Sequence, residues 1–145
     1  MTLRRITPIF LLIAAFAIPA IAGGKGELQK YFSDAAHKVK ATDNPAEKRA
    51  ILNGSLNTMS QALEIAQWSS SVSKEDVVAI DRVKATLQDK RDELSGVNGY
   101  RGVTDENLNA FSDYIVQDME QADTVVTISL VTLLLIILLV ILIVR

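Results

Sequence analysis

Cysteine is absent from this chain of 145 residues, and histidine and tryptophan occur once each. Without thiols there are no disulfides, thiolate metal sites or cysteine nucleophiles, so the fold must be held by packing. The single histidine, His37, stands three residues after Asp34 and could supply one pair of ligands, whereas mononuclear zinc takes at least three from protein. His37 also lies off the apolar stripe of its segment and is read as solvated. The Glu-x-x-His motif of di-metal bundles is missing, so no metal and no cofactor are expected.

Positive charge is scarce between residues 23 and 123, where twelve Lys and Arg face seventeen Asp and Glu for a net of −5. That balance argues against nucleic acid and anionic lipid as partners. The acid pairs Glu75-Asp76 and Asp92-Glu93 are adjacent along helical segments and point in different directions, as solvated faces do. No nucleophile-elbow sequence occurs, and the serines gather in a loop or at helix starts, so an enzyme is not expected.

What the chain does have is a long apolar run. Thr124 to Val144 carries no charge, and its 21 residues would make a helix of about 31 Å, close to the hydrocarbon thickness of a bilayer. This predicts a transmembrane helix over 124–144 with Arg145 at a cytoplasmic end. At the other end, Arg4 and Arg5 precede an apolar stretch, Ile9 to Ile18, and Ala20 and Ala22 satisfy the small-residue rule for signal cleavage. Residues 1–22 are therefore expected to be a signal peptide cut after Ala22. The basic ends place residues 23–123 outside the cytoplasm, as a periplasmic or extracellular domain on a single-pass anchor.

Proline interrupts residues 23–123 only at Pro45, and periodicity predicts an all-α, up-and-down bundle of three to four helices. Leu28, Phe32, Ala35, Ala36 and Val39 mark a first helix over Glu27 to Ala41. Asn44, Pro45 and Glu47 form the cap, first turn and capping-box acid of a second, with Leu52, Leu56, Met59, Leu63 and Ala66 as its seam to about Trp68. Ser73 with Asp76 opens a third, Lys74 to Ser95, with Val77, Ile80, Val83, Leu87 and Leu94. After Gly96, Gly99 and Gly102, Thr104 is expected to cap a helix carrying Leu108, Phe111, Ile115, Met119 and Ala122. With no Gly or Pro beyond it, that helix is expected to continue unbroken from Asp105 into the membrane, about 60 Å in all.

Short connections favour antiparallel neighbours, which puts the Asp43-Asn44-Pro45 turn and the glycine loop at the tip far from the membrane. Trp68 and the serine run would sit at the membrane interface, which suits tryptophan. The glycine loop lacks the Gly-Lys-Ser/Thr ending of a phosphate cradle and is read as a helix cap followed by a flexible connection. Its Tyr100 and Arg101 are residue types that dominate binding hot spots and are the candidate partner-binding residues. Asn53-Gly54-Ser55 matches a glycosylation acceptor but falls inside a predicted helix.

The functional expectation is a membrane-anchored structural or adaptor subunit. Its partners would be the lipid bilayer and another protein or further copies of itself, not nucleic acid. One alternative is a small-ligand-binding sensor bundle that signals through a membrane partner. Another is a surface protein whose hydrophobic tail is a cleaved sorting signal.

Overall fold

Leu28, Phe32, Ala35, Ala36 and Val39 are all buried on one side of α1, Glu27–Ala41, as their spacing requires. The computed structural model describes residues 26–70, 72–124, 126 and 128–144, with the side chains at 123, 128, 129 and 131 excepted. The proposed signal peptide and Arg145 lie outside the described residues. Among the described residues every regular element is helical: α2 is Pro45–Gln67, α3 Lys74–Ser95, α4 Leu108–Asp123 and α5 Ile128–Val144, with a 3-10 turn at Asp105–Asn107.

The helix starts follow local chemistry. Asn44 Oδ1 accepts from the amides of Ala46 (2.9 Å) and Glu47 (3.4 Å), and Pro45 occupies the first turn, where no amide is needed. Glu47 does not reach back to the Asn44 amide as a capping box would. Instead Thr42 Oγ1 donates to Glu47 Oε2 at 2.7 Å and accepts from the Asn44 amide at 3.4 Å, so the threonine relays the contact. Ser73 Oγ accepts from the Asp76 amide at 3.1 Å, as expected. Thr104 makes no side-chain cap. The chain enters α4 through the 3-10 turn, in which the Asn107 amide donates to the Thr104 carbonyl.

Side-chain contacts set the topology. Lys40 pairs with Asp113, so α1 and α4 run antiparallel. Gln67 meets Asp81 and Lys84, which makes α2 and α3 antiparallel. Lys48 bonds to Asn109, and Arg49 bonds to both Asp105 and the Val103 carbonyl, so the Asn44 turn and the glycine loop share one pole. One apolar cluster fills the interior. Leu56, Leu63 and Leu87 are fully buried in it and Phe111 nearly so.

The last helix departs from the sequence expectation. It breaks between α4 and α5, and α5 doubles back along α2 rather than continuing the line of α4. Thr124-Val125-Val126-Thr127 is an unbroken β-branched run, the weakest helix-forming stretch of its length in this part of the chain. Thr124 also turns its bonding inward: its hydroxyl (2.7 Å) and its amide (3.1 Å) both donate to the Gln121 carbonyl, ending α4 in a tight turn. Val126, Leu130, Leu134, Ile137 and Leu138 are buried as part of the common core. With 17 residues α5 is about 25 Å long. Among the described residues no helix is long and apolar enough to cross a membrane.

Gly54 lies inside α2, and a β-carbon there would meet nothing within 4 Å. Gly54→Ala is expected to stabilise the fold by about 0.5–1 kcal/mol, because the alanine loses less backbone freedom on folding. Urea unfolding followed by circular dichroism checks it.

Candidate functional site

The seam of α3 reads Val83, Leu87, position 90, Leu94, and position 90 is a lysine where an apolar residue would continue the pattern. Lys90 is only 2% exposed. Its Nζ lies 2.7 Å from Asp118 Oδ2 on α4 and 3.5 Å from Glu93 Oε2 on its own helix. It also sits 3.4 Å from the centre of the Tyr114 ring, a cation–π contact. Burial alone would lower the Lys90 pKa, but the hydrogen bonds to Asp118 and Tyr114 and the charges of Asp118 and Glu93 outweigh it, so the pKa is raised. An ammonium held this firmly is a poor nucleophile and a poor base. Its work is to join α3 to α4.

Beside this cluster, toward the pole where α4 ends, a cleft of about 260 Å³ opens between α3 and α4. Arg82, Val83, Thr86, Asp118, Gln121 and Ala122 line it. Thr86 donates its hydroxyl to the Arg82 carbonyl at 3.1 Å, and Asp118 is engaged by Lys90, so the lining holds no nucleophile paired with a base. Among the described residues no three His, Asp or Glu side chains gather where they could hold a metal ion. His37 is exposed, off the buried stripe of α1.

At the opposite pole, the glycine loop is ordered by its own bonds. Gly96 ends α3 in the left-handed conformation (φ 76°), and its amide donates to the Asp92 carbonyl at 2.9 Å. A β-carbon on Gly96 would lie 3.1 Å from Gly102 Cα, so the two glycines let the loop close on itself. Asp92 is therefore more than a solvated acid: its carboxylate accepts from Asn98 and from Gln88, each at 2.9 Å. The glycines of the loop supply the left-handed angles that its path takes.

Tyr100 is 37% exposed, and its hydroxyl donates to Asp89 Oδ1 at 2.6 Å, tying the ring back to α3; Arg101 beside it is exposed. Trp68, at the end of α2 and at the other pole, is 85% exposed. The structure thus keeps Tyr100 with Arg101 and Trp68 at opposite ends of the bundle, and brings together Lys90, Tyr114 and Asp118, which the sequence reading passed over. The hydrogen bond to Asp89, followed by burial and the nearby acids, raises the Tyr100 pKa. Asp89→Asn should bring Tyr100 back toward the ordinary tyrosine value of about 10. Ultraviolet difference titration of the phenolate, set against the same titration of a Tyr100→Phe variant, reads the shift.

Comparison of the chain with protein-family models, with curated proteins and with solved structures finds no match.

Proposed function

We propose that this protein is a membrane-anchored helical-bundle subunit, with its bundle on the periplasmic or extracellular side, acting as a structural or adaptor element through protein–protein contact. The observation that carries the membrane part is the outer side of α5. A helix that only had to pack on α2 would need one apolar stripe, yet Ile136, Val140, Ile143 and Val144 are 51–80% exposed, and 128–144 holds no charge at all. In a bilayer that surface faces lipid. Insertion would wind 124–127 into the helix, extending it from 17 to 21 residues and about 31 Å, long enough to span. The signal-like pattern of Arg4, Arg5, Ala20 and Ala22 supports export of the bundle. The adaptor part is supported by Tyr100 and Arg101, polar-aromatic surface at the pole away from the anchor, while Trp68, exposed at the pole where α4 ends, suits contact with the membrane interface.

In cells expressing the full chain, alkaline carbonate should leave the protein in the membrane pellet, and protease added to spheroplasts should digest the bundle. Leu133→Lys combined with Ile136→Lys should shift it to the soluble fraction, since both positions lie near the middle of the 124–144 span, where each lysine costs about 2.5–3.5 kcal/mol. Recovery of the unsubstituted chain in the carbonate supernatant would refute the anchor.

A further inference from the structure

We infer that Asn98-Gly99 in the glycine loop is a self-modification site, at which Asn98 closes onto the Gly99 amide, loses ammonia and becomes an aspartate or isoaspartate that releases the loop from Asp92. The chain holds two Asn-Gly dipeptides, Asn53-Gly54 and Asn98-Gly99, and both asparagines are exposed. A β-carbon on Gly54 or on Gly99 would meet nothing within 4 Å. Sequence and access are thus alike at the two sites, and the backbone distinguishes them. Gly54 lies inside α2, where its amide is committed to the carbonyl four residues earlier. Ring closure there would need that turn of helix to open first. The Gly99 amide donates to no group among the described residues. It stands in a turn, Val97 to Tyr100, closed by the Tyr100 amide on the Val97 carbonyl at 3.2 Å, with φ 55° at Asn98 and 90° at Gly99. Positive angles at both central residues are the type I′ pattern that Asn-Gly favours.

Water is the only co-reactant. The Gly99 nitrogen, once it has given its proton to solvent, attacks the side-chain carbonyl carbon of Asn98 and closes a five-membered succinimide. The bond from that carbon to the amide nitrogen breaks as the nitrogen takes a proton from water and leaves as ammonia. Water then opens the ring at either carbonyl, giving aspartate or, with the main chain rerouted through the side chain, isoaspartate. Glycine at 99 leaves the attacking nitrogen uncrowded. Before the reaction Asn98 Nδ2 donates to Asp92 Oδ2 at 2.9 Å. Afterwards the donor is gone, and in the aspartate product a second carboxylate faces that of Asp92, so attraction turns to repulsion. Isoaspartate also inserts one carbon into the main chain, and the Val97–Tyr100 turn cannot keep its spacing. Tyr100 and Arg101 follow directly, so the conversion alters the surface proposed above for a partner. That consequence rests on the adaptor reading, whereas the chemistry does not.

The test uses the full-length chain, held folded at mildly alkaline pH and sampled over days by peptide mapping and by isoaspartyl methyltransferase labelling. Residue 98 should convert, and residue 53 should lag at least about tenfold behind, since its ring closes only in a locally opened helix. In urea, where no helix holds Gly54, the two should convert at similar rates. Similar rates in the folded chain, or an intact Asn98, would overturn the site. Asn98→Gln, whose longer side chain does not close a five-membered ring, should remove the label from that peptide. Release of the loop has its own readout. In the aged sample, limited trypsin should cut after Arg101 sooner in converted molecules, so the cut fraction should be enriched in converted residue 98. Asn98→Asp, which supplies the carboxylate without ageing, should be cut faster than the parent. Equal conversion in cut and uncut molecules, with Asn98→Asp cut no faster than the parent, would overturn the release and leave the modification standing. Failure of export or of anchoring would change none of these readings.

Discussion

Asp118→Ala is expected to destabilise the fold by about 3 kcal/mol, whereas Lys90→Met is expected to be nearly neutral or mildly stabilising. The asymmetry follows from which group is left behind. Removing Asp118 strands an ammonium that is 2% exposed, with Glu93 at 3.5 Å as its remaining carboxylate. Removing the ammonium instead leaves Asp118 and Glu93 with 27% and 30% of their side chains in contact with solvent, so they can be hydrated, and a methionine continues the seam of Leu87 and Leu94. Urea unfolding of the full-length variants separates the two outcomes, and equal losses for both would show that the cluster contributes no more than packing. The pH dependence has a definite sign. Because the folded-state pKa of Lys90 is raised, the stabilisation it confers is fully present below the unfolded lysine value of about 10.4. It is lost as pH rises through the higher folded value. Wild-type stability should therefore fall in that alkaline window, and Lys90→Met should lack that part of the fall.

Leu63→Ala is expected to cost about 2–5 kcal/mol, the range for emptying a fully buried leucine site. Leu63 is 0% exposed in the middle of the cluster that joins all five helices, with little room for neighbours to relax into the space. An unchanged thermal midpoint would refute its place in the core. Exposed Ile65, two positions along the same helix and 51% exposed, should tolerate alanine with less than about 0.5 kcal/mol of change.

The contrast between these sites marks what periodicity can reveal. Helices α1, α2 and α3 were legible because their apolar spacing and their starts, Asn44-Pro45 and Ser73, agree with one another. The break after Asp123 was not. Hydropathy treats Thr124-Val125-Val126-Thr127 as the opening of a spanning segment, while backbone preference rates the same sequence a poor helix, and only the three-dimensional arrangement shows α4 ending at Asp123. The Lys90 cluster left a fainter trace. The seam of α3 skips from Leu87 to Leu94, and the skipped position was readable as a gap, but its partner on α4 depends on an interhelical register that no local pattern encodes. In the glycine loop, composition announced the break after α3 but not its geometry, in which Gly96, Gly99 and Gly102 take left-handed angles and Gly96 approaches Gly102 closely.

The pairing of α1 with α4 has a consequence for the order in which the molecule assembles. It is the most extensive helix contact in the fold, yet its members are far apart in sequence, with Lys40 and Asp113 separated by 73 residues. The α2–α3 hairpin can form as soon as both helices exist, since Gln67 reaches Asp81 across 14 positions. Closure of α1 on α4 must wait for the remainder of the chain, and loop entropy makes it the slow event. During synthesis, the buried stripe of α1 thus remains uncovered on that side until the segment Leu108–Asp123 has emerged. Substitutions in that contact, which forms in the slow step, should therefore slow refolding, as read from the folding arm of a urea chevron.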